Sequence, residues 1–380
     1  MQLLTWICRL LVGFLFIFSG LIKANDPMGF GFKLEEYFVV FGVEWLSPLA
    51  VVLSILICAL EIVLGVAVLL GARIRETAWG LLIMILFFTW LTFYSAWFDK
   101  VTDCGCFGDA IKLTPWQSFW KDLVLLILIL QIFFNRKRIR PVLSAKGSAL
   151  ALGLASALAL GFGIYTYSFL PVIDFLPYKT GNHIPSLMTM PPGAEPDVFK
   201  IVYTLKNKET GELREMDDKE YLSSKIWENP DWEYVDASDP ILVKKGYTPP
   251  IHDLSISNAN GVEFTEELLN NPSYSLLIVM YDLGKTNREA QDDLNELVKK
   301  AQEYNLRSIG LTAASARAAQ AFAENTGALY EIFFCDATPL KSMIRSNPGL
   351  LLLKDGTVIG KWHHNRLPSP EELEKKYFIR

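Results

Sequence analysis

The sequence predicts an α-helical membrane bundle of five transmembrane helices followed by an extracytoplasmic α/β domain. Three observations predict it. Apolar residues crowd into the first half of the 380-residue chain, in runs near the 20 residues that cross a bilayer. Lysine and arginine are unevenly shared among the loops between those runs. From about residue 251, short and almost wholly apolar strands alternate with helical stretches.

The runs cover residues 3–22, 46–71, 77–98, 116–134 and 147–170. At 1.5 Å per residue, twenty residues span about 30 Å, the hydrocarbon thickness. Runs of this length with so few charges do not suit a soluble bundle. The first run has no basic segment before it and no small-residue cleavage site after it. It reads as an anchor that stays.

Orientation follows from the loops. Arg136, Lys137, Arg138, Arg140 and Lys146 fall between the fourth and fifth runs, and Arg73 and Arg75 between the second and third. Both loops belong on the cytoplasmic side, against the weaker pull of Lys100 and Lys112 in the third loop. The N-terminus is then cytoplasmic, and everything after Leu170 is periplasmic or otherwise extracytoplasmic. That compartment permits disulfides. The lipid bilayer is the first expected partner; no nucleic-acid partner is expected.

Polar residues inside the runs carry the first chemical hints. Glu61, in "ALEIVLG", lies within the second run, and Lys23 closes the first in "SGLIKANDP". A carboxylate at that depth needs a partner or a polar cavity, and Lys23 is the candidate partner. Two readings stand open: a proton or quinone site, and a paired charge that holds helices together. The aromatic segment after Lys23 is expected along the membrane interface. In the fifth run Gly153, Ala157 and Gly161 recur every four residues, spacing that lets helices pack closely in the bundle. Cys8 and Cys58 read as lipid-facing or packed small residues.

The loop "TDCGCFGD" places Cys104 and Cys106 one residue apart. A disulfide across Gly105 would close a very small ring. Such a bridge constrains almost no chain, so it adds little as a staple. Strain in the ring favours the reduced state and makes the oxidised state a better oxidant. The spacing therefore suits electron exchange. Lys100 and Lys112 would lower a thiol pKa, and Asp103 and Asp109 would oppose that or relay protons. A structural bridge and a two-sulfur copper(I) site remain open. Zinc wants four ligands, and His183, His252, His363 and His364 are remote. No metal site is assigned.

Three domains follow: residues 1–172 for the bundle, 173–250 for a connecting subdomain, and 251–380 for the α/β domain. In the second, "KIVYTLKNKETGELREM" reads as a β-hairpin. The third runs strand "SLLIVMYDL", helix 288–304, strand "LRSIGLT", helix "ARAAQAFAENTG", strand "YEIFF", helix "PLKSMIRS" and a hairpin turning at Asp355–Gly356. Buried-type strands in this order imply a mainly parallel sheet. His363 and His364 follow as surface residues on opposite faces.

That order, with "SNPGLLLLKDG" before the last hairpin, resembles a thioredoxin-like domain. The resemblance implies that Pro348 is the family's proline, usually cis, beside the active edge. Family members carry Cys-x-x-Cys after the first central strand; here Tyr281–Glu289 has no cysteine. Without a thiolate the ordinary thioredoxin reaction is excluded at that position. Cys335 ends a strand on the same edge. Cys335 and Pro348 are candidate client-facing residues, with a buried small hydrophobe as the other reading of the thiol.

A second resemblance covers residues 1–140. "FSGLIKANDP", "ALEIVLGVAVLLGA" and "DCGCFGD" resemble the DoxX/MauE family of small helical membrane proteins. It implies that Cys104 and Cys106 are a redox pair and that Lys23 and Glu61 are family-type polar positions. It also implies disulfide formation in exported proteins and a link to quinone. The function expected is a membrane thiol–disulfide redox protein. Its Cys104–Cys106 pair oxidises an exported thiol client and passes electrons to quinone, while the outer domain holds the client. The alternative is a non-catalytic scaffold or assembly factor whose outer domain binds a partner. A transporter has only Glu61 in its favour.

Overall fold

A computed structural model describes residues 2–98, 101, 105, 107–195, 197–244 and 246–379. Its first half is helical: α1 Gln2–Asn25, α2 Pro27–Val40, α3 Ala50–Leu70, α4 Ile74–Phe98, α5 Pro115–Asn135 and α6 Ala145–Phe169. Five candidate spans lie in this region, Leu3–Asn25, Glu44–Leu70, Ile74–Phe98, Pro115–Arg138 and Ala145–Phe169, matching the five apolar runs. The protein is an integral membrane protein with the bilayer around these helices.

Caps and breaks set the helix ends. Thr114 and Gln117 form a reciprocal capping box ahead of α5, with Pro115 at its first position. Gly71, in the left-handed region at φ 65°, ends α3. Packing is closest between α1 and α3. A Cβ on Gly65 would sit 2.8 Å from the Gly13 carbonyl, and one on Gly20 would sit 2.9 Å from the Cys58 carbonyl. Only hydrogen fits at such approaches. Cys8 and Cys58 are packed inside, not lipid-facing.

The expected stripe on the fifth span is corrected. Gly153 and Gly161 have open space around them and, with Ala157, face outward. The buried small residues of α6 are Ser148, Ala159, Gly163 and Thr166, with Gly163 against Ile55. Thr166 also donates to the Ala24 carbonyl at 2.6 Å. Helix α2 buries Phe30, Gly31, Leu34 and Tyr37 on one face, the spacing of a one-sided helix.

Residues His183–Leu254 form a compact unit of their own. It holds a short helix α7 (Ile184–Met188), strands β1 (Val198–Lys200), β2 (Val202–Asn207) and β3 (Leu213–Asp217), helix α8 (Asp218–Ser224), and strands β4 (Trp232–Ala237) and β5 (Ile241–Lys244). The sheet order is β3-β2-β4, with β1 pairing β5. The β2–β3 hairpin turns where Asn207 Oδ1 accepts the Glu209 and Thr210 amides.

The C-terminal domain contains α9 (Thr265–Leu269), β6 (Tyr274–Met280), α10 (Gln291–Glu303), β7 (Arg307–Thr312), α11 (Ala316–Thr326), β8 (Glu331–Phe334), α12 (Ala337–Met343), β9 (Gly349–Lys354), β10 (Thr357–His363) and α13 (Pro370–Leu373). The sheet runs β10-β9-β6-β7-β8. Strands β6, β7 and β8 are parallel; β9 and β10 are antiparallel. Leu276, Ile278 and Met280 pack on Leu294, Leu297 and Val298 of α10, while Leu277 and Val279 are buried on the other face. Burial on both faces explains the unbroken apolar strand. The β9–β10 turn has positive φ at Asp355 and Gly356, as two-residue hairpin turns of this hand require. The Asn347–Pro348 bond is cis, where the thioredoxin resemblance expects it. Strand order, the αβ crossovers and the terminal hairpin make this domain thioredoxin-like.

His363 and His364 are not a surface pair on opposite faces. His363 is buried, and the rings lie 4.1 Å apart. Strand β10 ends at His363, so the turn that follows brings His364 back beside it.

Candidate functional site

Cys104 and Cys106, with the flanking Lys100 and Asp103, lie outside the described residues. The described remainder of their loop shows what it is held against. Asp109 accepts a hydrogen bond from Arg345 Nη2 at 2.9 Å. Arg345 Nε donates to both oxygens of Asp26, at 3.1 and 2.8 Å. Asp26 also caps α2 through the Gly29 amide at 2.8 Å. Arg345 is thus buried between Asp26, at the end of the first span, and Asp109. Burial works against its charge, but Asp26 and Asp109 outweigh it and hold the guanidinium pKa above its ordinary value.

Arg345 stands three residues before Pro348, so the clasp falls on the active edge of the thioredoxin-like domain. The segment after β6 is tied to that edge. Asn347 Nδ2 donates to the Asp282 carbonyl at 2.7 Å, Thr286 Oγ1 donates to Asn347 Oδ1 at 3.1 Å, and the Asn287 amide donates to the Asn347 carbonyl at 3.0 Å. Helix α2 covers the same edge. Phe32 meets Tyr281 edge-on at 5.9 Å, and Lys341 lies 4.4 Å over the Phe32 ring. Burial raises the Tyr281 pKa. Pro348 and Cys335 are both buried, which for Cys335 matches the reading as a small packed hydrophobe. Two further ties hold the domain to the end of α6. Lys361 pairs with Asp174 at 2.6 Å, and Asn365 Nδ2 donates to the Ser168 carbonyl at 3.0 Å.

Beside Phe107 lies a cavity of about 30 Å³ inside the bundle. Lys23, Glu61, Lys121 and Asp122 line it, among Phe16, Ile85, Phe88 and Leu125. The structure brings Lys23 and Glu61 together as a buried ion pair. Glu61 Oε2 is buried and has no hydrogen-bond partner among the described residues. A second pair, Lys121–Asp122, closes at 2.9 Å, and Thr92 Oγ1 donates to Asp122 at 3.3 Å. Phe107, the residue after Cys106, is part of the cavity wall, with Lys121 Nζ 4.8 Å over its ring. Two carboxylates and two ammoniums in one small polar space can hold water and move protons. About 30 Å³ accommodates one or two waters.

Lys121, Asp122, Asp26 and Arg345 were not singled out in the sequence. The signal for the first two was "WKDL" one turn inside an apolar run. For Asp26 it was Asp-Pro at a helix start. No local signal marked Arg345. Among the described residues no cluster of histidine, cysteine and acidic groups is arranged to hold a metal.

Residues 1–135 match the family model described as methylamine utilisation protein MauE. Protein TlpB of Flavobacterium psychrophilum is 26% identical over 136 residues, covering 34% of this chain and 36% of that protein. The match therefore spans little more than a third of that relative. The solution structure of a candidate protein disulfide isomerase from Bacteroides thetaiotaomicron is similar at 16% identity and a TM-score of 0.27. That match covers 32% of this chain and 80% of the other.

Proposed function

We propose, from a MauE-family N-terminal region joined to a thioredoxin-like domain, that this protein is a membrane thiol–disulfide redox protein acting on exported thiols. The Cys104–Cys106 disulfide accepts two electrons from a client dithiol. The client becomes a disulfide, and the pair becomes two thiols. A two-electron oxidant in the membrane restores the pair. Quinone is the oxidant the family resemblance implies. The cavity beside Phe107 is water-sized, at about 30 Å³, and no step is routed through it.

The observation that carries the reading is the placement of the loop residues that flank the cysteines. Phe107 walls a cavity holding two acid–base pairs, and Asp109 is bonded to Arg345. Two protons must be taken up or released in each half-reaction. The Lys23–Glu61 and Lys121–Asp122 pairs are the groups that handle them. The thioredoxin-like domain, lacking a Cys-x-x-Cys pair after its first strand, positions the loop instead of attacking a disulfide. The loop and this domain are extracytoplasmic in this reading.

The scaffold reading has one observation in its favour: the active edge is covered by the chain's own α2. It predicts that the cysteines are dispensable. Membranes carrying Cys104→Ser or Cys106→Ser separate the two. The redox reading expects exported thiols to accumulate reduced, seen as an alkylation mass shift, and one of the two variants to trap a mixed disulfide. Fully oxidised clients in both variants would refute it.

A further inference from the structure

The end of the bundle where α1 begins holds a second cavity, of about 660 Å³. Arg9, Lys137, Arg138 and Arg140 line it with Trp6 and Asn135, and no carboxylate does. Helix α1 is 24 residues and so about 36 Å long, and its other end leads into Asp26 and the clasp. We infer that this cavity binds the phosphate of an anionic phospholipid.

Arg9 is the independent observation. It is only 6% exposed, within the first span. The other deeply buried cations each have a carboxylate: Lys23 has Glu61, Arg345 has Asp26 and Asp109, and Lys361 has Asp174. Arg9 pairs with none among the described residues. Its Nε donates to the Val68 carbonyl at 3.0 Å and its Nη2 to the Leu69 carbonyl at 2.8 Å. These carbonyls end α3, whose dipole offsets part of the charge. The rest calls for an anion, because an unpaired charge at that depth is expensive.

Size and surroundings select the lipid over free phosphate. A volume of about 660 Å³ is that of a site for a drug-sized ligand, far more than one phosphate fills. Guanidinium groups from two segments of chain converge there, and arginine forks match phosphate oxygens. Trp6 is exposed at the level where aromatic rings meet headgroups. Leu4, Ile7 and Leu11 continue outward along α1 as exposed apolar surface for acyl chains. A basic pocket between helices at a span end is the form such headgroup sites take.

The test uses full-length protein, purified and delipidated in a neutral detergent. Phosphatidylglycerol, phosphatidylcholine and inorganic phosphate are titrated separately, with thermal stability and native mass spectrometry as readouts. Phosphatidylglycerol is expected to raise Tm and stay bound; the other two are not. The triple variant Lys137→Gln, Arg138→Gln, Arg140→Gln is expected to weaken phosphatidylglycerol binding at least about tenfold, as does Arg9→Gln. The control, Arg73→Gln with Arg75→Gln, removes two exposed cations elsewhere and is expected to leave binding unchanged. Three results each overturn the proposal: equal binding of the zwitterionic lipid, full replacement by inorganic phosphate, or equal weakening by the control. Should Arg9→Gln fail to fold, the triple variant still decides.

Discussion

Arg345 reaches Asp109 across 236 residues of sequence, and through that contact the thioredoxin-like domain grips the loop that carries the cysteine pair. The same guanidinium holds Asp26 with two bonds. Arg345 therefore joins three segments that are far apart in the chain.

Removing it strands two carboxylates. Arg345→Met is expected to destabilise the docked domain by about 3–5 kcal/mol, the scale for breaking a buried pair. Asp26→Asn should cost more than Asp109→Asn, because the Asp26 side chain is 14% exposed and the Asp109 side chain 34%. Thermal unfolding and protease sensitivity of residues 105–115 report both effects. The reverse ranking would show that the clasp is not organised around Asp26.

The cavity pair gives a double-mutant test. Glu61→Gln leaves Lys23 buried without its counter-charge and should cost about 3–5 kcal/mol. Lys23→Met combined with Glu61→Gln should recover most of that stability, since an apolar replacement of a whole pair is often neutral. Turnover of client thiols should stay low in the double variant if the pair handles protons. Restored stability with full turnover would assign the pair to packing alone.

Two glycines in the spans should behave in opposite ways. Gly65→Ala pushes a methyl to within 2.8 Å of the Gly13 carbonyl, and about 1–3 kcal/mol of destabilisation is expected. Gly161→Ala meets open space and should gain up to about 1 kcal/mol from helix propensity. Thermal melts of the purified variants in one detergent compare the two.

His363 makes the C-terminal domain sensitive to acid. Burial, with His364 adding to it, pushes the His363 pKa down from 6.5 to about 4, and its Nδ1 accepts the Asn365 amide. The unfolded chain therefore binds the proton first as pH falls. Stability is complete above pH 6.5 and drops through the window from 6.5 to 4, by about 3 kcal/mol at its lower end. His363→Gln should flatten that slope in a pH series of unfolding midpoints. An unchanged slope would place the sensitivity elsewhere.

The spans and the strands were legible because each is a local pattern. Long apolar runs and the stretch "SLLIVM" report burial without reference to anything distant. The Lys23–Glu61 pair was legible for a similar reason: two charges in apolar surroundings have few partners to choose from. Which face of a helix meets its neighbour is a different matter. Gly153 and Gly161 have the right spacing, yet Ala159 and Gly163 took the contact, because the facing side chain, Ile55, is supplied by α3. His363 shows the same limit in a strand, where alternation assigns a face but not what covers it. Arg345 lies beyond local pattern altogether, since both of its carboxylate partners come from the bundle.

Asp26 and Arg345 are 319 residues apart. The aspartate that starts α2 is made early, whereas the arginine that completes its hydrogen bonding follows 319 residues later. The tie between Asp26 and Asp109 thus forms only after residue 345 has been made, and a chain truncated before it would leave the two carboxylates without their shared cation.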